Sequence, residues 1–276
     1  MNLPSNITSQ VELALKEDIG TGDVTADLIP QSSTSSATVV CRDDAVLCGT
    51  VWFNEVFSQI DQNVSIDWNY KDSDSVKAGS IICTLSGNSR SILSGERAAL
   101  NFLQTLSATA TQTQTFVTLI SETKTRILDT RKTLPNLRDA QKYAVVCGGG
   151  KNHRIGLYDM ILIKENHIMA AGSITNAVTQ AKALHPDIKV EVETENLNEF
   201  REATKAGADI IMLDNFDLEI MREAVVENDG KVILEASGGI NMQTVRGIAE
   251  TGVDYISVGE ITKDIKAIDL SMRFEL

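Results

Sequence analysis

The chain has 276 residues, of which 42% are hydrophobic and 23% are charged, and its net charge is −13. These values are ordinary for a globular protein with a full-sized core and one or two domains. The acidic total argues against a nucleic-acid partner, and no apolar run approaches the roughly 18 residues that a membrane-spanning helix needs. Because the first residues do not resemble a signal peptide, we expect a cytoplasmic protein with neither nucleic acid nor membrane as a partner.

Residues 1–110 mix helical and strand patterns. A helix pattern with Val11, Ala14 and Leu15 on one face is followed by the turn-rich EDIGTGDVT and by the strand-like SATVVCRD and IICTLSG. A long helix follows, for which we predict Ser94 as the N-cap. We therefore predict an α+β domain for residues 1–110.

Residues 111–276 alternate between strands and helices. Six apolar runs, in RILDT, MILIKEN, KVEVET, DIIMLDN, KVILEASG and YISVGE, are separated by helical segments such as SITNAVTQAKALH, for which Ser173 is the expected cap. This pattern is typical of a parallel sheet covered by helices, in the α/β class. Since six units are fewer than the usual eight, we predict an incomplete, six-stranded α/β barrel, with an open doubly wound sheet as the alternative. A return of the last residues to the first domain is left open.

A polar residue or a glycine follows each predicted strand. Ligands of parallel α/β folds bind beyond the carboxyl ends of the strands, so we expect these residues to share one pocket. They are Asp129, Thr130, Arg131, Lys164, Glu193, Asp214, Glu235, Ser237 and Gly259.

The charges of this pocket indicate an anionic ligand. Four cations, at Arg131, Lys132, Arg154 and Lys164, suit carboxylates and phosphates. Two carboxylates, at Glu193 and Asp214, can hold Mg²⁺ directly or through water, or can bind the hydroxyl groups of a sugar. The glycines of SGG at 237–239 and Gly259 let backbone amides approach a phosphate, although a turn into a helix would need them too.

Two of the three histidines lie in the sequence next to cationic residues or just after a predicted strand. His153 lies between Lys151 and Arg154, which should disfavour its protonated form, and it is either a structural residue or a donor to a substrate carboxylate. His167 is expected to brace Lys164. The four cysteines show neither a CxxC spacing nor a clustering with the histidines, so we expect reduced thiols.

Several motifs, taken in order, resemble one family. EDIGTGDVT, GERAALNFLQ, DTRKTLPNLR, GGGKNHRIGLYDMILIKENH, VEVE, IMLDNF, EASGGI and ISVGEIT are similar to those of the quinolinate phosphoribosyltransferases, the carboxylating nicotinate-nucleotide pyrophosphorylases. The resemblance covers essentially the whole chain. It implies transfer of ribose 5-phosphate from phosphoribosyl pyrophosphate to quinolinate, with loss of pyrophosphate and CO₂, to give nicotinate mononucleotide for NAD synthesis. It also implies an α+β sandwich domain followed by an incomplete α/β barrel.

The resemblance also implies roles for individual residues. Lys132, Lys164, Glu193 and Asp214 are expected to be catalytic, the last two beside the ribose and Mg²⁺. Arg97 would act across the interface of a homodimer, with higher oligomers left open. The expected substrate-binding residues are Arg97, Thr130, Arg131, Lys132, His153, Arg154, Lys164, Glu193, Asp214, Ser237, Gly238, Gly239, Val258 and Gly259.

Two segments depart from the family pattern, and other functions stay open. SATAT at 107–111 stands where SGIAT is common, and GEIT stands where GALT is common, which puts Glu260 beside the expected phosphate site. The motif blocks alone also leave open a relative that acts on another pyridine or on a molybdenum-linked substrate. Two further classes fit the residues: a barrel lyase or aldolase with Lys164 as Schiff base, and a small-anion-binding protein.

Overall fold

The computed structural model describes residues 3–275. The chain divides into two compact units. The first unit comprises residues 3–114, 133–149 and 261–275, and the second comprises residues 115–132 and 150–260. The domain boundary predicted after residue 110 stays a prediction.

The described residues form helices and strands throughout. The helices are α1 (Ile7–Ile19), α2 (Thr50–Ile60), α3 (Ser89–Leu119), α4 (Arg138–Cys147), α5 (Glu165–Ala171), α6 (Ile174–Leu184), α7 (Leu197–Ala206), α8 (Leu218–Asn228), α9 (Val245–Ala249) and α10 (Glu260–Lys263). The strands are β1 (Thr34–Cys41), β2 (Ala45–Val46), β3 (Ser65–Trp68), β4 (Ser75–Val76), β5 (Ile81–Asn88), β6 (Arg126–Leu128), β7 (Ile161–Ile163), β8 (Val190–Thr194), β9 (Ile210–Asp214), β10 (Ile233–Ser237), β11 (Tyr255–Ser257) and β12 (Leu270–Glu275). Within the described range, no helix is both long enough and apolar enough to cross a membrane.

The first unit has a four-stranded sheet in the order β12-β1-β5-β3, with antiparallel neighbours, and a small β2-β4 sheet. Its hydrophobic core contains Trp52, Phe53 and Phe57 of α2 together with Ile82 and Leu85 of β5, all fully or almost fully buried. Burial of this apolar and aromatic surface is the main force that holds the sheet and helices of the unit together. The predicted α+β character of this part of the chain is confirmed.

The long helix of the first unit begins earlier than predicted. It starts at Ser89, where the Asn88 side-chain oxygen accepts hydrogen bonds from the backbone amides of Arg90 and Ser91 at 3.0 and 3.3 Å. The prediction of Ser94 as N-cap is wrong, because its hydroxyl lies inside α3 and donates to the carboxylate of Asp23 at 2.7 Å. Asn88 supplies the acceptor that a helix start requires.

The serine and the last threonine of SATAT, which the common SGIAT pattern shares, have a local structural role, whereas the two positions that differ are 108 and 109. Within α3, the Ser107 hydroxyl accepts a hydrogen bond from the backbone amide of Cys48 at 3.0 Å and lies 3.2 Å from its carbonyl oxygen. The Thr111 hydroxyl accepts a bond from the Val46 amide at 2.8 Å. These hydroxyls satisfy buried backbone groups that an apolar side chain would leave without partners.

The second unit is a six-stranded parallel sheet in the order β6-β11-β10-β9-β8-β7. All six predicted apolar runs are strands of this sheet. The end strands β6 and β7 are not neighbours in the hydrogen-bonded order of the described residues, which makes the barrel incomplete. The predicted fold class, α/β with a six-stranded incomplete barrel, is confirmed.

Side-chain caps start the helices that cross between these strands. Ser173 accepts a hydrogen bond from the Asn176 amide at 3.1 Å, as predicted for α6. Asn196 and Asp217 cap α7 and α8 in the same way. Short helical crossovers connect the four parallel strands β8 to β11. The carboxyl ends of these strands therefore meet at one edge of the sheet.

Candidate active site

Asp129 anchors the loop that carries two of the candidate residues. It follows β6, is fully buried, and accepts hydrogen bonds from the His153 amide at 2.9 Å and from the Asn152 side chain at 2.6 Å. Its own amide donates to the carbonyl of Lys151 at 3.1 Å. Although the sequence placed Asp129 among the pocket residues, these contacts give it a structural role, tying residues 151–154 to the end of β6.

Arg131 and Arg154 bring two positive charges close together. Burial lowers the pKa of Arg154, and the nearby charge of Arg131 lowers it further. One guanidinium nitrogen of Arg154 donates to the carbonyl of Met160 at 3.2 Å. The buried Nε of Arg131 makes no hydrogen bond to any described residue. An anion would stabilise two guanidinium groups that repel each other, one of which has an unsatisfied buried N–H.

Thr130, Lys132 and Gly259 are brought together by β6 and β11. The Thr130 hydroxyl accepts a hydrogen bond from the Lys132 amide at 3.1 Å. A Cβ added to Gly259 would lie 3.1 Å from Cδ of Lys132 and 3.6 Å from the Thr130 hydroxyl. The neighbouring Val258 has a buried side chain and donates its amide to Leu128 at 2.9 Å. Gly259 therefore leaves space for the lysine chain.

Lys164 and Glu193 form a direct ion pair. The Lys164 ammonium, at the end of β7, donates to a carboxylate oxygen of Glu193 on the neighbouring strand β8. The backbone amide of Lys164 donates to Nδ1 of His167 at 3.0 Å. The expected bracing of Lys164 by His167 is thus present as a hydrogen bond.

Asp214 and the SGG turn meet at the ends of β9 and β10. A carboxylate oxygen of Asp214 accepts a hydrogen bond from the Asn215 side chain at 2.7 Å, and the Asn215 amide donates to the Ser237 carbonyl at 2.9 Å. Gly238 has a φ of 101°, and a Cβ there would lie 2.1 Å from the Asn215 side-chain oxygen. Gly239 also has a positive φ, of 59°. Only glycine fits at 238, for both conformational and steric reasons.

We expect the Gly238→Ala substitution to destabilise the fold by about 2 kcal/mol or more, because left-handed strain and a steric clash add. Gly239→Ala is the matched control, since its φ is also positive but no atom lies within 4 Å of the added Cβ. Urea unfolding of both variants measures the difference. Equal free energies of unfolding would contradict the steric part of this account.

His153 faces two buried carboxylates rather than the cations beside it in sequence. Its Nε2 lies 3.0 Å from Glu191 and 3.4 Å from Glu235. Burial acts to lower the pKa of His153, but the hydrogen bonds and charges of these glutamates outweigh it and raise the pKa. The expectation that Lys151 and Arg154 would disfavour the protonated ring is therefore wrong.

The second nitrogen of the ring is also engaged. The Arg154 amide donates to Nδ1 of His153 at 2.7 Å, which opposes a second proton on the ring. Because Nε2 faces two carboxylates while Nδ1 accepts a hydrogen bond, we expect the proton of the neutral ring on Nε2. Sequence reasoning missed Glu191; its signal was a glutamate inside the otherwise apolar start of β8.

The structure brings all but one of the predicted site residues into the second unit. They lie on or directly after β6, β7, β8, β9, β10 and β11, or on the loop that Asp129 anchors. Arg97 belongs to the first unit, where it is exposed on α3. The roles predicted for these residues stay predictions.

Comparison with known proteins decides the family. The chain matches the model of the quinolinate phosphoribosyl transferase N-terminal domain over residues 23–107 and that of the C-terminal domain over residues 109–273. This chain belongs to the quinolinate phosphoribosyltransferase family. The lyase and plain anion-binding alternatives are thereby set aside.

Curated and solved relatives agree with this membership. The chain is 42% identical to the probable carboxylating nicotinate-nucleotide pyrophosphorylase of Bacillus subtilis, over 93% of this chain and 89% of that protein. It is 38% identical to the chloroplastic carboxylating enzyme of Arabidopsis thaliana, over 98% and 83% of the two chains. The solved nicotinate-nucleotide pyrophosphorylase of Francisella tularensis is 53% identical, with a TM-score of 0.97 over 99% of this chain and 98% of that chain.

Proposed function

We propose that this protein transfers the 5-phosphoribosyl group of phosphoribosyl pyrophosphate to the ring nitrogen of quinolinate at the strand ends of the second unit. The ring nitrogen forms a bond to the anomeric carbon, and the bond from that carbon to pyrophosphate breaks. The adjacent carboxylate then leaves as CO₂, its electron pair stays on the ring carbon, and a proton from solvent completes nicotinate mononucleotide. Family membership supports this reaction.

The cation pair of Arg131 and Arg154 is the observation that carries the proposal. Quinolinate has two carboxylates, and their charges would offset the burial and the repulsion from Arg131 that together lower the pKa of Arg154. At ~4 Å and an effective dielectric of ~20, each charge pair contributes roughly 4 kcal/mol before desolvation. Lys164, which Glu193 holds in an ion pair, would contact the same dianion. Binding and orientation supply most of the acceleration, because a bound ring nitrogen attacks without the entropy loss of encounter.

The phosphoribosyl donor fits the remaining groups. The turn at Ser237, Gly238 and Gly239 would offer amides to the 5-phosphate. Val258, whose own amide is bonded to Leu128, and Gly259 would lie beside that phosphate, and Thr130 and Lys132 lie next to Gly259. Glu260 follows Gly259 directly, as the first residue of α10. Its negative charge would therefore lie beside the proposed phosphate contacts.

Glu193 and Asp214 are the residues that would hold Mg²⁺, directly or through water. Glu193 is the last residue but one of β8 and Asp214 is the last residue of the neighbouring parallel strand β9, and carboxylate oxygens are the ligands that Mg²⁺ prefers. An ion held by these residues would supply positive charge that neutralises the pyrophosphate leaving group. The two carboxylates also stabilise the positive charge that develops on the ribose as pyrophosphate leaves.

The test of the reaction is direct. Purified protein is mixed with Mg²⁺, phosphoribosyl pyrophosphate and quinolinate, and released pyrophosphate and CO₂ are measured. We expect the two products in equal amounts, and no release when either substrate is omitted. Pyrophosphate release without CO₂ would contradict the decarboxylating reaction.

We also propose that the protein is a cytoplasmic homodimer in which Arg97 of each subunit completes the active site of the other. The Arg97 side chain is 59% exposed, and its nearest acid, Glu96, lies 3.9 Å away. An arginine in the first half of a long helix gains nothing from the helix dipole, so a partner elsewhere accounts for it better. Two-fold symmetry would present each Arg97 to the other subunit.

Subunit mixing tests this arrangement. Arg97→Ala and Lys132→Ala should each be inactive as pure dimers. A mixed dimer has one site with both defects and one with neither, so activity should return towards about a quarter of wild type for random pairing. Mass spectrometry of differently labelled subunits confirms exchange. Proven exchange without recovery would show that Arg97 does not act in trans.

A further inference from the structure

A cluster of three titratable groups lies one layer below the strand ends. On β8, Glu191 lies two residues before Glu193, and on β10, Glu235 lies two residues before Ser237. Because side chains two apart share a strand face, the two glutamates project to the same side as the site residues above them. Glu191 and Glu235 are 0% and 1% exposed, and the His153 side chain is 8% exposed. We call these three residues the buried His–Glu cluster.

The contacts of His153 come from several elements. Glu191 faces its Nε2 from β8 and Glu235 faces it from β10, at 3.0 and 3.4 Å. On its own loop, the Arg154 amide donates to its Nδ1 at 2.7 Å, and its backbone amide donates to Asp129 at 2.9 Å. The Arg154 guanidinium charge also acts on Glu191. One ring nitrogen thus accepts a hydrogen bond, and the other lies close to two carboxylates.

Fold stability alone does not account for this cluster. Apart from the approach of His153 Nε2, both carboxylate oxygens of Glu191 and one of Glu235 have no hydrogen-bond partner among the described residues. Two buried like charges with unsatisfied oxygens are costly, and apolar residues of similar size would pack there at lower free energy. The neighbouring strand β9 is apolar at Ile210 and Met212, which pair in register with Glu191 and Glu235 respectively.

We infer that Glu191 and Glu235 are positioning residues for the transfer reaction. Their carboxylates hold the His153 ring by its Nε2–H, which turns Nδ1 to the Arg154 amide and so fixes where Arg154 stands beside Arg131. The effect on quinolinate rests on the proposed function of that arginine pair. The histidine–carboxylate contact itself is independent of any substrate.

Nitrogen-15 NMR of the histidine rings tests the contact in the substrate-free protein. The chain has three histidines, and His167 and His185 are exposed, so they serve as internal references. We expect a protected Nε2–H resonance from His153, shifted by Glu235→Gln and by Glu191→Gln, while the references stay in place. Glu227→Gln, an exposed glutamate paired with Arg201, is the matched control and should change none of the three. A His153 ring that is unprotonated at Nε2, or is unmoved in both variants, would overturn the inference.

Kinetics test the consequence for the site. Each glutamine variant should raise the KM for quinolinate at least fivefold. It should change kcat and the KM for phosphoribosyl pyrophosphate less than twofold, because Arg154 contacts the bound acid already in the ground state and its displacement weakens that binding. If the wild type is active and the KM for quinolinate is unchanged in both variants, the positioning role is refuted. If wild type does not convert quinolinate, the proposed function fails instead. If the variants do not fold, the wild-type Nε2–H resonance alone decides about the contact.

Discussion

Quinolinate should be converted about 10⁴-fold more efficiently than nicotinate, measured as kcat/KM, because a site built to pair a polar group rejects an analogue that lacks it by roughly this factor. Nicotinate lacks the carboxylate beside the ring nitrogen. Without it, one of the crowded guanidinium groups of Arg131 and Arg154 stays desolvated and unpaired. Pyrophosphate release with each acid, at saturating Mg²⁺ and phosphoribosyl pyrophosphate, gives the ratio.

A matched variant separates this cause from a general loss of activity. Arg131→Ala should lower activity with quinolinate far more than activity with nicotinate, since it removes the group that discriminates between them. Picolinate, which keeps the carboxylate beside the nitrogen and lacks the other, tests the second cation contact in the same assay. Equal turnover of quinolinate and nicotinate by wild type would refute the assignment of the cation pair to a dicarboxylate, and would indicate that a related pyridine is also used.

The second large effect is expected at the two carboxylates. Glu193→Ala and Asp214→Ala should each reduce kcat by about 10²-fold or more, since both stabilise charge that develops only in the transition state. Quinolinate should still bind, and removal of Glu193 frees the Lys164 ammonium that it holds. Steady-state kinetics and calorimetric titration with quinolinate measure the two quantities separately.

Isosteric variants show whether charge or shape is responsible. Glu193→Gln and Asp214→Asn preserve volume and can still hydrogen-bond, yet they lack the negative charge that a metal and a cationic ribose require. They should be nearly as slow as the alanine variants and should need more Mg²⁺ for half-maximal rate. Near-normal activity in both alanine variants would contradict the roles given to Glu193 and Asp214.

The sequence alone was sufficient for the architecture of the second unit. Each apolar run became a strand because continuous hydrophobic segments between amphipathic helices have few places to be buried other than a covered parallel sheet. This architecture also predicts which residues lie at one edge of the sheet, because the carboxyl ends of parallel strands meet there. They are Arg131, Lys164, Glu193 and Asp214. The family motifs, read in order, were confirmed over both domains.

Local signals were less reliable where a distant partner competes. Ser94 has the chemistry of an N-cap, but its hydroxyl bonds to Asp23, 71 positions earlier in the chain. Cys48 and Cys147 show no motif spacing, yet their sulfur atoms and a carboxylate oxygen of Asp72 all lie within 4.8 Å of one another. Periodicity and spacing describe neighbours along the chain, so they do not predict contacts between residues that are far apart in sequence.

Only the tertiary structure decided what surrounds each polar group. His153 has cations on both sides in the sequence, but the ring faces Glu191 and Glu235, which come from two other strands. Its electrostatic environment is therefore opposite in sign to that expected from its sequence neighbours. Asp129, in turn, became an anchor because the segment from Lys151 folds back onto the end of β6. Electrostatic and hydrogen-bond energies depend on distances in space, so the chain specified which groups exist and its folding decided which of them meet.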